Sequence, residues 1–313
     1  MPYKYIFGPV LSRRLGLSLG VDVIPQKTCN LNCVYCESGR TTMPSSIRTS
    51  VIPVEDIIIE LKDFLKTNPK IDHITFSGAG EPTLYRDLPV IISFIRSDYP
   101  QYKLAMITNS ILMAQAEIRQ ELLSFDVILP SLDAATSAVF HKINRPVAKV
   151  DYQEVINGLI SFRKIFKGKI WLEVFIIEGI NDTSLELELL KESLNKIAPD
   201  LVQLNTLDRP GTESWVKPAS WQKLEEIKSL FAPLNVEIVA RNKTAKHYET
   251  LVQHIDEQIL NTKKRRPCTG HELATIIGLD IDQLETHVQK LISSGNIEAD
   301  NQSGIVFYKL RKI

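Results

Sequence analysis

Short apolar runs alternate with amphipathic stretches over the first three quarters of the chain. Runs rich in β-branched residues predict strands at 17–24, 71–77, 102–108, 127–132, 170–177, 201–207 and 236–240. Apolar positions at helical spacing predict helices at 53–65, 89–96, 114–123, 151–166, 184–196 and 220–231. Strands that alternate with helices indicate a parallel sheet covered by crossover helices. About six such units are too few for a closed eight-stranded barrel, so we expect an α/β fold, a partial (β/α)6 TIM-like barrel with its chemistry at the carboxyl ends of the strands.

The pattern changes after about residue 244. A helical stripe runs from Tyr248 to Ile259. Thr269 with Glu272, and Asp282 with Glu285, each fit a capping box and predict the starts of two further helices.

A hairpin is predicted at the end of the chain, where residues 297–299 and 305–309 flank a turn. Three helices and a hairpin predict a C-terminal winged helix-turn-helix domain. We therefore expect two domains, a partial barrel at 1–243 and a winged helix at 244–313.

Composition narrows the class of protein. The chain has 313 residues, of which 44% are hydrophobic and 24% are charged. This composition is ordinary for a globular protein. Lys plus Arg and Asp plus Glu number 37 each, so no overall positive field attracts nucleic acid. No apolar run approaches the roughly 18 residues of a membrane helix, and the first residues lack signal-peptide features, so we expect a cytoplasmic protein.

Three of the four cysteines, Cys29, Cys33 and Cys36, fall within eight positions with C-x₃-C-x₂-C spacing. A structural zinc site closes with four protein ligands, and no fourth Cys or His lies nearby. Thiolates at this density suit an iron–sulfur cluster, in which three ligands leave one iron open to a small molecule. The alternatives are a zinc module and three thiols that are simply buried.

With the aromatic Tyr35 before its last cysteine, this motif resembles the signature of the radical S-adenosylmethionine (radical SAM) superfamily. The resemblance implies a [4Fe-4S] cluster on the three cysteines and S-adenosyl-L-methionine (SAM) on the fourth iron. It also implies a 5′-deoxyadenosyl radical that abstracts hydrogen from a substrate, and an electron donor such as flavodoxin or ferredoxin.

Gly78, Ala79, Gly80 and Glu81 follow the second predicted strand and precede Pro82. Alone, this sequence indicates a tight turn. Beside the cysteine motif, it resembles the part of the family's site that binds the methionine amino group, because glycines allow close backbone approach and Glu81 offers a carboxylate.

Polar residues at later strand ends are the remaining candidates for the SAM site: Asn109, Ser131, Asp133 and Asn205. The resemblance implies ribose contacts from Asn109, Ser131 and Asp133, and adenine contacts from Asn205, with Tyr35 packed on the same base. Loop capping is the alternative for the first three. Arg13 and Arg14 precede the first predicted strand and either bind an anion near the site or form a solvated turn.

Cys268 is expected to be a buried thiol, and as the only cysteine left it cannot complete a second cluster of four thiolates. Together with Phe7-Gly8-Pro9 near the start and the winged helix at the end, the motifs are similar to a radical SAM group of Fe–S oxidoreductases that is grouped with wyosine-tRNA synthases. The likeness covers nearly the whole chain.

RNA modification is the first expectation for the substrate, and modification of a peptide or protein is the second. Residues 245–313 carry nine basic and nine acidic side chains, so a wing that docks protein is at least as well supported as one that reads DNA. The rival from another class is an Fe–S transcriptional sensor.

Overall fold

The computed structural model describes residues 3–208, 211–239, 255–265, 267–277, 279–302 and 304–311. The strands are β1 (Ile6–Ser12), β2 (Gly16–Val21), β3 (Thr28–Cys29), β4 (Met43–Pro44), β5 (His73–Phe76), β6 (Lys103–Thr108), β7 (Val127–Pro130), β8 (Lys169–Phe175), β9 (Leu201–Asn205), β10 (Val236–Ile238), β11 (Cys268–Thr269), β12 (Ile297–Gln302) and β13 (Ile305–Leu310). The α-helices are α1 (Val54–Leu65), α2 (Leu88–Asp98), α3 (Ala116–Glu121), α4 (Ser137–Asn144), α5 (Tyr152–Ile165), α6 (Ser184–Ile197), α7 (Trp221–Leu230), α8 (Ile255–Arg265), α9 (Gly270–Ile277) and α10 (Ile281–Ser293).

The main sheet has eight strands in the order β1-β2-β5-β6-β7-β8-β9-β10. Every neighbouring pair from β2 to β10 is parallel, which confirms the predicted parallel α/β architecture. The antiparallel strand β1 was not predicted. Gly8 and Pro9 interrupt its apolar pattern, and the register with β2 shifts between Phe7 and Val10.

The sheet is curved, as two contacts across it show. Arg14, in the turn between β1 and β2, donates a hydrogen bond to Glu173 on β8. Four strand-to-strand steps separate β2 from β8, and a flat sheet would place them roughly 19 Å apart, farther than an arginine side chain reaches. Arg13 likewise pairs with Asp208, just beyond β9. The turn between β1 and β2 therefore spans the opening formed by the curved sheet.

The helices bury apolar stripes against this sheet and begin at polar caps. Asp151 caps α5 by accepting the Gln153 N–H at 3.0 Å, close to the predicted start. Helix α4 was missed, although Thr136 caps it. Its eight residues were too short to show a clear helical period, yet they matter because Asn144 ends the helix near the cysteines.

The C-terminal region contains α8, α9 and α10 with an antiparallel sheet in the order β11-β13-β12. The predicted capping box at Thr269 and Glu272 is confirmed, since each residue's backbone N–H donates to the other's side chain, at 2.9 and 3.2 Å. The predicted start at Asp282 is wrong. Asp280 caps α10 by accepting the Gln283 N–H at 2.8 Å, which leaves Asp282 inside the first turn.

The second core, built from α8 to α10 and the small sheet, is joined to the main sheet through β1. Val10 of β1 packs against this core, which includes Leu273, Ile277 and Val288. The predicted helical stripe from Tyr248 to Val252 and the predicted boundary at 243/244 lie outside the described residues, and the domain limits stay predictions. Within the described ranges, no helix is long and apolar enough to cross a bilayer.

Candidate active site

The cysteine loop, residues 28–36, follows β2 at the carboxyl edge of the sheet. Neighbouring backbone segments support it from two sides. The Val34 N–H donates to Ile143 O at 2.9 Å, and the Ser45 N–H donates to Cys29 O at 3.1 Å. The loop is therefore held in place by backbone bonds that do not depend on any bound group.

Each cysteine sulfur faces one side-chain nitrogen donor. The three contacts are Asn109 Nδ2 to Cys29 Sγ at 3.6 Å, Asn144 Nδ2 to Cys33 Sγ at 3.4 Å, and Lys27 Nζ to Cys36 Sγ at 3.7 Å. Hydrogen bonds to sulfur are a principal means by which a protein stabilises and tunes an iron–sulfur cluster. The donor set therefore fits the electron-rich cluster that the sequence predicts.

Cys29 and Cys33 lie in an environment that disfavours free thiolates. Burial raises the pKa of Cys29 to about 12, and the nearby Glu81 carboxylate adds to the shift. Burial also raises the pKa of Cys33 well above its usual range, with Cys36 as the next cause. Without a metal, these two thiols would keep their protons at neutral pH, so iron would have to displace those protons on binding.

A structural zinc site takes four protein ligands on one ion. Among the described residues, no three His, Cys, Asp or Glu side chains are grouped so as to hold one ion. Cys268 is fully buried in the C-terminal core and adds no fourth ligand. Its predicted role as a buried thiol agrees with that position.

The Gly78–Glu81 loop packs directly on the start of the cysteine loop. The Glu81 N–H donates to Thr28 O at 3.1 Å, and a Cβ on Gly80 would lie 2.1 Å from that same carbonyl oxygen. A Cβ on Gly78 would clash with Asp22. The two glycines are therefore required by close approach.

The Glu81 carboxylate is buried, with 3% exposure, and links this loop to the end of β6. Oε1 accepts from Thr83 and from the Thr108 hydroxyl at 2.7 Å, and Oε2 accepts the Asn109 N–H at 2.8 Å. Burial raises the pKa of Glu81 despite these bonds. Oε2 has a single donor in the described structure, so it retains capacity for one more.

Asp133 is 2% exposed, and its oxygens accept three hydrogen bonds. The donors are the Tyr35 hydroxyl at 2.5 Å, Asn144 Nδ2 at 2.9 Å and the Phe175 N–H at 2.9 Å. Burial raises the pKa of Asp133 to about 6. These contacts direct Asp133 at Tyr35, Asn144 and Phe175, and its predicted ribose role stays a prediction.

The other strand-end residues also make internal contacts. Asn109 Nδ2 donates to Asn30 Oδ1 at 2.7 Å, so Asn109 is directed at the cysteine loop and not at an open pocket. The Ser131 backbone bonds to Thr108 and Ser110. Asn205 Nδ2 donates to Glu173 Oε2 at 3.2 Å.

A cavity of about 780 Å³ lies between the carboxyl edge of the sheet, the turn between β1 and β2, and helices α8 and α9. The candidate residues from the sequence that line it are Arg13, Arg14, Tyr35, Cys36, Gly78, Gly80 and Asn205. Ala79, Glu81, Asn109, Ser131 and Asp133 do not line it. Pockets that bury one drug-sized ligand span about 300–1,000 Å³, so this cavity lies near the upper end of that range.

Sequence reasoning missed several residues of the site. Glu173 lines the cavity and pairs with Arg14. The sequence feature that could have identified it is a single carboxylate within the otherwise apolar run of β8. His271 and Thr275 of α9 form part of the opposite wall. No local pattern marked them, because only the tertiary structure brings the C-terminal region to the mouth of the sheet.

The loop after β9 covers the cysteine loop from a further side. Thr212 Oγ1 donates to Cys36 O at 3.0 Å, and the Glu213 N–H donates to Val34 O at 3.1 Å. Glu213 accepts from Arg40 at 3.0 Å and from Arg145 at 2.7 Å. Both arginines hold this carboxylate, and its backbone bonds to the cysteine loop.

Comparison with known proteins agrees with this geometry. The family model of the radical SAM superfamily matches residues 23–189, which include the cysteine loop and Glu81. A Helicobacter pylori protein named UPF0026 protein is 35% identical over 306 residues, covering 97% of this chain and 96% of that one. A Brachyspira hyodysenteriae protein named GTPase Obg is 39% identical over 308 residues, but the chain spans only 45% of its length.

More distant matches fall within the same superfamily. A probable dual-specificity RNA methyltransferase RlmN of Spiroplasma citri is 26% identical over 205 residues, 63% of this chain and 59% of that protein. The crystal structure of a radical SAM methyltransferase from Sphaerobacter thermophilus aligns with a TM-score of 0.55 at 14% identity, over 71% of this chain and 65% of that one. That structural likeness supports the fold. This chain is an enzyme of the radical SAM superfamily.

Proposed function

We propose that the protein holds a [4Fe-4S] cluster on Cys29, Cys33 and Cys36 and binds SAM in the adjoining cavity. The observation that carries this proposal is the set of three partly exposed thiols, each facing one nitrogen donor. The three residues leave one iron without a protein ligand, and the cavity borders Cys36. When both groups are bound, they supply a 5′-deoxyadenosyl radical that abstracts hydrogen from a substrate.

The chain's own residues bind and orient the ligand, and they exclude water from it. Gly78 and Gly80 line the cavity and give the backbone close access to a ligand. Tyr35 and Asn205, which also line it, offer a ring and an amide for the adenine. Glu81 and Ser131 do not line the cavity, so an ammonium contact at Oε2 of Glu81 and a ribose contact at the Ser131 hydroxyl would require the adjoining loops to shift. Asp133 and Asn109 act as positioning residues. Asp133 holds Tyr35 and Asn144, and Asn109 holds Asn30 of the cysteine loop.

RNA is the substrate class that we favour. The resemblance to the wyosine-tRNA synthase group and the similarity to a protein named as an RNA methyltransferase both support it. Helices α8–α10 with their three-stranded sheet support the assignment of a winged helix beside a partial (β/α)6 barrel. A peptide or protein substrate is the alternative, since the C-terminal region has balanced charge.

The wall formed by α9 bears on substrate size. His271 and Thr275 line the same cavity as Tyr35 and the glycine loop, so the reacting group must fit in a chamber to which both parts of the chain contribute. A single nucleobase turned out of its stack satisfies that limit, and an intact duplex does not.

The first experiment is anaerobic reconstitution with iron and sulfide, followed by SAM and a strong chemical reductant such as dithionite. Wild-type protein should yield 5′-deoxyadenosine, and Cys36→Ala should yield none, while Cys268→Ala retains the activity. A fully reconstituted wild-type protein that cleaves no SAM would refute the proposal. Zinc without labile sulfide would support the zinc module instead.

A second experiment addresses the substrate. RNA that co-purifies with the protein, or crosslinks to it near His271, would support RNA modification. Tight, salt-sensitive binding of duplex DNA that depends on cluster state, without SAM cleavage, would support the sensor.

A further inference from the structure

Lys27 differs from the other two nitrogen donors described at the cysteine sulfurs, because its donor is charged. Asn109 and Asn144 each present a neutral amide. Lys27 presents an ammonium group, with Nζ 3.7 Å from Cys36 Sγ. The same Nζ donates to Gly39 O at 2.5 Å, so the side chain is directed at the segment that begins with Cys36. Its positive charge therefore lies against a proposed cluster ligand.

This lysine is buried without a counter-ion. It is 7% exposed. In the described part of the chain, Nζ has the Cys36 sulfur and the Gly39 carbonyl as its partners, and it forms no salt bridge with a carboxylate. Removing a positive charge from water costs free energy that is recovered when an anion faces the charge. The described residues supply no such anion to Lys27.

The backbone at Lys27 adds a second cost. The Thr28 N–H donates to Pro25 O at 3.0 Å, so residues 25–28 form a β-turn in which Lys27 is the third residue. Lys27 has a φ of +64°, in the left-handed region that glycine and asparagine adopt most readily in a turn. A lysine is unfavourable there, so its side chain must contribute something that glycine and asparagine lack.

A [4Fe-4S] cluster on three thiolates is the kind of anion that this ammonium lacks, since such a cluster is negatively charged and gains a further negative charge on reduction. Resting on the proposed function, we propose that Lys27 is the counter-ion of the cluster and that it makes the metal-free protein less stable. Its charge favours uptake of the cluster, and it favours the reduced cluster over the oxidised one. The electron comes from an external reductant, and no proton is exchanged.

The test compares three variants of the whole chain, each with and without a reconstituted cluster. Lys27→Met removes the charge and keeps an unbranched side chain of similar length, whereas Lys27→Arg keeps the charge. Lys149→Met is the matched control, because it removes one positive charge from an exposed residue that lines a recess beside Asn30 of the cysteine loop. The measurements are urea unfolding of the metal-free proteins and redox titration of the reconstituted proteins, followed by electron paramagnetic resonance.

We expect metal-free Lys27→Met to unfold at a higher urea concentration than wild type, because a buried charge without a counter-ion has been removed. With the cluster bound, this variant should be harder to reduce. Its equilibrium constant for reduction should be about tenfold lower, or ~59 mV for a one-electron couple. Lys27→Arg should keep the wild-type potential. Lys149→Met should match wild type in both measurements, since water and salt screen an exposed charge.

A purely structural role would make metal-free Lys27→Met less stable than wild type, through loss of the bond to Gly39 O, and that result would overturn the proposal. An unchanged potential in Lys27→Met, or an equal shift in Lys149→Met, would overturn it as well. Loss of cluster uptake in Lys27→Met but not in Lys27→Arg would support it. If wild type reduces its cluster but cleaves no SAM, the proposed function fails, and the potentials still decide the role of Lys27.

Discussion

The hydroxyl group of Tyr35 donates a 2.5 Å hydrogen bond to Oδ2 of Asp133, while the Tyr35 ring stacks on Phe175 with ring centroids 3.9 Å apart. Tyr35 lies between two cluster cysteines, and Asp133 lies just beyond the end of β7. This bond therefore fixes the cysteine loop to the sheet, which explains why a carboxylate is buried at this position.

Tyr35→Phe should lower the free energy of unfolding by about 1.5–3 kcal/mol, because a buried carboxylate loses a donor while the ring keeps its stacking. The matched control is Tyr152→Phe, whose hydroxyl donates to the neutral Ala134 carbonyl at 2.9 Å and should cost about 0.5–1.5 kcal/mol. Urea unfolding of the metal-free protein measures both. An equal or smaller loss in Tyr35→Phe would contradict the assignment.

The buried Asp133 should make stability fall as the pH rises. Its pKa is raised from 3.8 to about 6 in the folded protein, so between these values the folded state keeps a proton that the unfolded state releases. The contribution is fully present below about pH 4 and is lost as the pH passes about 6, a change of roughly 3 kcal/mol.

The check on this pH effect is urea unfolding of metal-free wild type and Asp133→Asn between pH 4 and 7. The asparagine variant should be less stable throughout, because one carboxylate oxygen is replaced by an amide nitrogen, which then faces either Asn144 Nδ2 or the Phe175 N–H as a second donor. Its dependence on pH should be flatter than that of wild type. Parallel curves for the two proteins would show that Asp133 does not titrate in this range.

Asn109→Ala should make the cluster harder to reduce. The Asn109 amide faces Cys29 Sγ, and an N–H donor stabilises the added negative charge of the reduced cluster. Loss of one such bond corresponds to a potential more negative by roughly 40 mV for a one-electron couple. Redox titration followed by electron paramagnetic resonance measures the shift, with the surface variant Asn157→Ala as control. A potential that is unchanged or more positive would exclude this role.

Gly80→Ala should reduce incorporation of iron. A Cβ at this position would lie 2.1 Å from Thr28 O, so the glycine loop or the start of the cysteine loop must move. Gly270→Ala is the control, since its Cβ would lie 3.4 Å from the nearest atom, an ordinary contact. Iron and labile sulfide per chain should fall several-fold in Gly80→Ala only. Full iron and sulfide content in Gly80→Ala would show that the two loops can move apart without loss of the cluster.

The strands and helices of the sheet were largely predictable, because their apolar residues repeat at the periods of a strand or a helix. The exceptions have local causes. Gly8 and Pro9 interrupt the apolar pattern of β1, so that strand was not predicted. Helix α4 is too short to show a helical repeat of apolar residues. The cap of α10 was misplaced by two residues, since Asp280 and Asp282 fit the same pattern and only the hydrogen bond to Gln283 separates them.

The cysteine motif was evident from the sequence as well, because three thiols within eight residues carry their chemistry in the spacing itself. The sequence alone thus determined the superfamily and the parallel α/β architecture, and it predicts the three cysteines as cluster ligands. Only the tertiary structure decided what surrounds them. It turned Asp133 and Asn109 inward, paired Arg14 with Glu173, and placed His271 on the cavity wall. Most of these relations join residues far apart in the chain, for example 98 positions between Tyr35 and Asp133 and 159 between Arg14 and Glu173. No local period records them, because contacts at that range depend on how the sheet curves.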